Sequence, residues 1–404
     1  MLTLLKKPAF LVLFICQGLS QIASAFHLIA LPLYVYKLTN SSVLTGLISF
    51  IEIITTILVS LFAGTVIDRS NKKNIIVISE ICRSLIIFYL IFIPEIYAPW
   101  ILILITIMTG ITSSFSAITQ ITIIKSLVDN KNLSEANSLL LLLNSIALIL
   151  GPILGTIFIE HLNYSGTFML NSASFLISAI GYCFINTRWN ETQKTLIKKN
   201  INIIQELKEG FDILKQNQNL LSTLTSTWVI ALGIGANSIL FILHFQQNGV
   251  SVQNIGMYMS FQGFGLLIGT IFFSRISKKF GMRKTYVFSM IAIGIFLILF
   301  INISTINFLI SNLLIFLFGI SLSFFNIAIK SIIQINTSYE YIGRISSINR
   351  VLSRSASSVS ILVGSLFSSI ISPSWILTIL GLFIVFTSLY TGMNLKVLPF
   401  IKNN

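Results

Sequence analysis

Gly64-Thr65-Val66-Ile67-Asp68-Arg69-Ser70-Asn71-Lys72-Lys73 is a charged hairpin set between two apolar runs that are too long for a soluble core. The run before it begins near Val43, and the run after it extends from about Asn74 to Ile93. Each is roughly 20 residues long, enough for an α-helix to cross the hydrocarbon of a bilayer. The hairpin therefore reads as a loop at the membrane surface. Arg69, Lys72 and Lys73 outnumber its one acid, Asp68, which puts the loop on the cytoplasmic side. Gly64 and Asp68 stand four apart on one helix face, where a neighbouring helix end can approach the small residue and be held by the carboxylate.

Composition agrees. Hydrophobic residues make up 55% of the 404, charged ones only 9%, and the mean hydropathy is +0.91. These values exclude an ordinary soluble protein and predict an all-α, multi-pass membrane protein. The balance of 26 basic to 12 acidic residues would suggest nucleic acid in a soluble chain. Here the cations collect in alternate loops, as topology determinants do, so no nucleic-acid partner is expected. Cys16, Cys82 and Cys183 lie in apolar runs without metal-like spacing, and neither a metal, a cofactor nor a disulfide is predicted. Lys6-Lys7 with the apolar stretch up to Ala23-Ser24-Ala25 imitates a signal peptide, yet the apolar run continues to Leu33, as an uncleaved first helix would.

Twelve spans are predicted, at about 9–35, 43–66, 74–93, 98–124, 138–159, 165–186, 220–244, 254–274, 283–301, 306–329, 346–371 and 374–394. Lys and Arg at the connections fall almost wholly on the side of the two termini, so both ends are expected in the cytoplasm, with the protein in the cell inner membrane. Residues 187–219 form the longest hydrophilic stretch and divide the chain into 1–186 and 220–404. Within it Ile203, Ile204, Leu207, Phe211 and Leu214 recur at helical spacing, which predicts an amphipathic surface helix. The second half repeats the first at an offset of about 210 residues. Ser274, Lys278, Lys279, Gly281 and Arg283 align with Gly64, Asp68, Arg69, Asn71 and Lys73, and the acid of the first hairpin becomes a lysine.

The hairpin resembles the G-x-x-x-D-R-x-x-R-[RK] signature of the major facilitator superfamily of transporters, with Gly64, Asp68, Arg69, Lys72 and Lys73 in place. That resemblance implies two six-helix bundles and a conformational role for these residues. The segment from Lys125 to Ser138, and Glu206-Leu207-Lys208-Glu209-Gly210-Phe211, resemble the macrolide efflux and enterobactin exporter branch. In the fifth span Ala147, Gly151 and Gly155 lie at fourfold spacing around Pro152, where small residues allow close packing and the proline loosens the backbone. This resembles the G-x-x-x-G-P-x-x-G-G motif of drug–proton antiporters, with Ala147 and Thr156 replacing glycines. The arginine that many proton-coupled relatives carry in the fourth helix is absent, and Lys125 is the nearest cation. Ser134 is the expected cap of the fifth span.

Polar stripes mark the expected cavity. Gln17, Ser20, Gln21, Ser24 and His27 share one face of the first span; Thr109, Thr112, Ser113, Ser116, Thr119 and Gln120 share one face of the fourth. Such faces avoid lipid and line either a wet cavity or a helix–helix contact. Asn237 in the seventh span and Asn326 in the tenth extend the set to the second half, where the resemblance implies that spans seven and ten line the cavity. Glu52 lies about 13 Å into the second span at 1.5 Å per residue, near mid-membrane. A carboxylate there must be protonated, paired or in cavity water, which makes it the expected proton site or else a structural acid. Glu80 and Arg83 are three apart and are read as a structural pair near the cytoplasmic end of the third span. Arg350 and Arg354, four apart, are expected at a cytoplasmic gate, holding carboxylates or lipid phosphate or simply snorkelling.

With no GxxxxGK[ST] loop, ATP is not the direct energy source, and His27, His161 and His244 form no catalytic cluster. The expected function is a monomeric, proton-coupled exporter of amphipathic organic small molecules that works by alternating access in the lipid bilayer. A siderophore exporter, or an importer of a small polar solute, is the alternative.

Overall fold

The computed structural model describes residues 4–92, 98–128, 132–185, 214, 217–337 and 342–394. All of its regular structure is helical: α1 (Pro8–Thr39), α2 (Ser42–Arg69), α3 (Lys72–Tyr89), α4 (Ala98–Leu127), α5 (Leu133–Cys183), α6 (Gln218–Gln247), α7 (Val252–Phe280), α8 (Met282–Ile303), α9 (Phe308–Asn336), α10 (Ile342–Phe367) and α11 (Pro373–Asn394), with short 3-10 turns at Leu4–Lys6 and Leu90–Phe92. Ten of these are long and apolar enough to cross a membrane. The exception, α10, is thinned by its serines and by Arg350 and Arg354. Predicted spans five and six join in α5, which bends at Asn163, where φ is 58°. With the two limbs of α5 counted separately and α10 included, every one of the twelve predicted spans has its helix.

Local chemistry sets the ends. The ten-residue hairpin shrinks to Ser70 and Asn71, because α2 runs on through Arg69 and the Asn71 side chain accepts from Lys73 N (3.0 Å) to start α3. At the equivalent point of the second half the chain turns through Gly281 at φ 85°, a conformation glycine adopts without a Cβ clash. Ser41 and Asn307 cap α2 and α9 in the same manner as Asn71 caps α3. Ser134 does not cap α5: the helix begins at Leu133 after Asn132, so Ser134 already lies within its first turn. The amphipathic helix expected within 187–219 falls outside the described residues except at Leu214, which is buried, and from Asn217 onward.

The chain forms two compact units, one of Met1–Lys198 with Ser251–Ser260 and one of Lys199–Val250 with Phe261–Asn404. In the first, α1 packs along both limbs of α5, and an added Cβ on Gly151 would overlap Ala25 while one on Gly155 would lie 3.5 Å from Phe26 Cα. Ser178 on the second limb donates to Cys16 O (3.0 Å). Ser114 on α4 donates to Thr56 O on α2 (2.8 Å), and α3 is sewn to the second limb of α5 by Ser84 and Ser172, each donating to the other's carbonyl at 2.8 and 2.9 Å. In the second unit the same pairings recur. Ser357 on α10 donates to Ala231 O on α6 (3.0 Å), Thr270 on α7 meets Ser323 on α9 (2.9 Å), and Arg283 on α8 donates to Gly392 O on α11 (2.6 Å). The sequence repeat is thus a repeat of packing partners.

Small residues set the helix spacing, because Gly151 lets the α1 and α5 backbones approach where a methyl group has no room. Gly151→Ala is expected to lower stability by about 1–3 kcal/mol through overpacking. Ala25→Gly in the same chain is expected to return most of it. Thermal unfolding of the two purified variants in detergent checks both statements.

Candidate functional site

The interior of the first unit is organised by Glu80. Its side chain is fully buried (0% exposed), and its oxygens accept from Ser20 on α1 at 3.1 and 3.2 Å and from Ser116 on α4. Gln120 Nε2 donates on to Ser116 Oγ (3.2 Å), so two residues of the α4 stripe and one of the α1 stripe converge on this carboxylate. One turn along α3, Arg83 puts Nη1 3.6 Å from Glu80 Oε1. Its Nη2 donates to Ser24 Oγ (2.8 Å), and its guanidinium carbon lies 4.0 Å from the centroid of the Phe175 ring. Ser24 in turn donates to Ser20 O (2.7 Å).

Glu80 and Arg83 pair as the spacing predicts, but the position expected near the helix end is corrected. Because α3 starts at Lys72, the two residues stand roughly 12 and 16 Å along it, inside the membrane. A lone acid in apolar sequence was legible as a site. This i,i+3 pair was not, since self-neutralising charges read as structural.

One turn beyond Ser24 on α1 sits His27. Its Nε2 lies 3.9 Å from Glu52 Oε1, and neither of its buried ring nitrogens has a hydrogen-bond partner. Glu52 is 24% exposed and pairs with no Lys or Arg among the described residues. Arg83 is close enough for Glu52 and His27 to feel its charge. Glu80 and Glu52 thus differ: Glu80 is enclosed by donors, with the Arg83 guanidinium beside it, and Glu52 is left open. From residue 213 onward the sequence holds a single acid, Glu340, outside the described residues, so the second unit's described spans contain no carboxylate.

The remaining predicted residues divide. Gln17 and Gln21 each keep a buried amide oxygen without a partner, as does Asn237 in α6. Ser113 turns back to Gly110 O (3.1 Å) on its own helix. Asn326, Arg350 and Arg354 are exposed. Among the described residues an added Cβ at Gly64 would meet nothing within 4 Å, so none of them makes the close approach expected there. The side chains of Asp68 and Arg69 lie outside the described residues, and those of Lys72 and Lys73 are half-buried. Sequence reasoning also passed over Asn171, fully buried with both amide atoms unpartnered, and Tyr182, whose buried hydroxyl has no hydrogen-bond partner.

A family model described as the Major Facilitator Superfamily matches residues 13–361 and again 223–399. The chain belongs to the major facilitator superfamily. It is thus a non-enzymatic, multi-pass transport protein of the bilayer, acting on small-molecule substrates. Among superfamily members it is 24% identical to YfiS of Bacillus subtilis strain 168, an uncharacterized MFS-type transporter, over 65% of this chain and 64% of that protein. It is 24% identical to the protein named "Putative bacilysin exporter BacE" of the same strain over 80% of this chain and 78% of that one. It is 20% identical to macrolide efflux protein A of Streptococcus pyogenes over 90% of each chain. In fold it matches the nucleoside transporter NupG with a TM-score of 0.77 at 14% identity, over 96% of this chain and 99% of that one.

Glu80→Gln would leave the Arg83 charge buried without its counter-ion, at an expected cost of about 3–5 kcal/mol. Adding Arg83→Met removes the orphaned charge, and the double variant is expected to regain most of that loss. Detergent melting curves of the single and double variants provide the check.

Proposed function

We propose that this superfamily member is a proton-coupled exporter of amphipathic organic compounds, macrolide-like drugs among them, and so a contributor to antibiotic resistance. It works by alternating access as a monomer in the cell inner membrane, with both termini in the cytoplasm and the halves 1–186 and 220–404 as the moving bundles. The observation that supports this reading most is Glu52: a membrane-embedded carboxylate, part-exposed beside His27, without a Lys or Arg partner among the described residues. An ionised acid there is costly, and a proton relieves the cost. Glu80, by contrast, already has Arg83 and two serine hydroxyls. For scale, one charge moving through about 100 mV supplies roughly 2.3 kcal/mol, or nearly 50-fold accumulation. Export is favoured by the names of two relatives, macrolide efflux protein A and the bacilysin exporter.

In this reading Gly64, Asp68, Arg69, Lys72 and Lys73 govern interconversion between the two access states, while Arg350 and Arg354 border the cytoplasmic gate. Ala147, Gly151, Pro152 and Gly155 keep α5 close on α1. Gln17, Gln21, Ser24, His27, Ser116, Gln120 and Asn237 provide polar contacts to the substrate, and Ser113 and Asn326 contribute at the margin.

Everted vesicles carrying the protein are expected to release protons from the lumen when an exported compound is added, within a panel of macrolides, dyes and siderophores. Silence across the panel contradicts export, and a response confined to siderophores changes the substrate. Glu52→Gln should insert normally and lose gradient-driven efflux. Asp68→Asn should slow turnover with little change in apparent affinity, read from initial rates across a range of compound concentrations.

A further inference from the structure

We propose that Arg83 and Glu52 form a binding site for a small zwitterion, a compound bearing both a carboxylate and an ammonium group, such as an amino acid or short peptide. The inference rests on the transporter reading and adds a second substrate class to it.

A guanidinium carries five N–H donors in a fixed fork. Arg83 is buried, yet among the described residues it makes one hydrogen bond, from Nη2 to Ser24 Oγ. Its Nη1 lies 3.6 Å from Glu80, beyond hydrogen-bond length, and Glu80 is occupied by Ser20 and Ser116. Phe175 covers one face of the guanidinium and offers no acceptor in its plane. None of the Arg83 nitrogens is sealed off without a partner, so the donors that make no hydrogen bond remain open to a ligand carboxylate that takes two of them in parallel.

Glu52 is the complementary case, since among the described residues its carboxylate accepts no hydrogen bond and has only the His27 ring beside it, with Nε2 at 3.9 Å. Both groups are placed by the same face of α1. Ser24 touches Arg83, His27 faces Glu52, and three residues of helix separate these contacts by about 4.5 Å of rise. An extended dipeptide spans at most about 7 Å, so a single small molecule can reach both charges. An anion alone would meet Glu52 as a like charge, and a cation alone would meet Arg83. A molecule with both signs is matched at each end, and the unpartnered nitrogens of His27 lie beside the Glu52 end.

The test is calorimetric binding to the purified full-length chain in nanodiscs. The ligands are phenylalanine, alanyl-phenylalanine and trialanine, each also as its C-terminal amide and its N-acetyl derivative. At least one zwitterion is expected to bind, with both blocked forms about tenfold or more weaker. The Glu80→Gln/Arg83→Met variant should weaken the zwitterion by a similar factor and leave its amide unchanged. Glu52→Gln should weaken the zwitterion and leave the N-acetyl form unchanged. No binding by any zwitterion, equal binding of blocked and free forms, or equal loss of all three forms in the double variant would each overturn the proposal. Proton release from everted vesicles on addition of any compound of the panel, with the zwitterions added to it, supports the exporter reading whatever the calorimetry shows. Silence across the whole panel alongside zwitterion binding removes the exporter reading and keeps the site.

Discussion

A carboxylate with no access to water, inside a membrane, must be surrounded by donors or give up its charge, and the first unit is built around that requirement. Glu80 satisfies it with hydroxyls from α1 and α4 and the guanidinium one turn along its own helix. Three helices are thereby tied at one point, and the polar faces of α1 and α4 are turned inward to meet it. Side chains that would be a liability against lipid become the means of fixing helix rotation. Small residues do the complementary work, and Gly151 and Gly155 bring α5 close enough to α1 for the opposite face to stay polar.

Satisfaction is uneven, and the unevenness separates structure from chemistry. Ser84 and Ser172 complete each other's backbone hydrogen bonding and leave nothing for a visitor. His244 in the second unit is similarly engaged, between Ser304 at 3.3 Å and Ser374 at 2.9 Å. Gln17, Gln21, His27 and Glu52 are not so engaged. In a medium that cannot supply hydrogen bonds, such unmatched groups, spread over about 15 Å of α1, are the ones the proposed transport reading assigns to a bound molecule or its water.

Much of the fold was legible because a bilayer imposes a length, and the two serial copies of the charged hairpin gave the repeat its register. The α1 and α4 stripes followed from helical period, and Ser116 does meet Ser20's partner Glu80, with Gln120 donating to Ser116. What the chain concealed were relations between distant residues. Nothing local tells that Glu80 is enclosed by positions 20 and 116, or that Ser24 holds Arg83. Helix ends also misled, since Lys72 and Lys73 lie inside α3 and push the charged pair deeper than a loop-based count would. The bend at Asn163 falls in the predicted connection between the fifth and sixth spans; what hydropathy did not show is that a single residue at φ 58° makes it.

The two units share their packing pairs, yet the described spans of the second contain no acid. Among the described residues a duplicated architecture has thus been given membrane-embedded carboxylates on one side only. Substitutions in the described spans of α6 to α11 can therefore reshape that bundle's walls without touching an ionisable carboxylate.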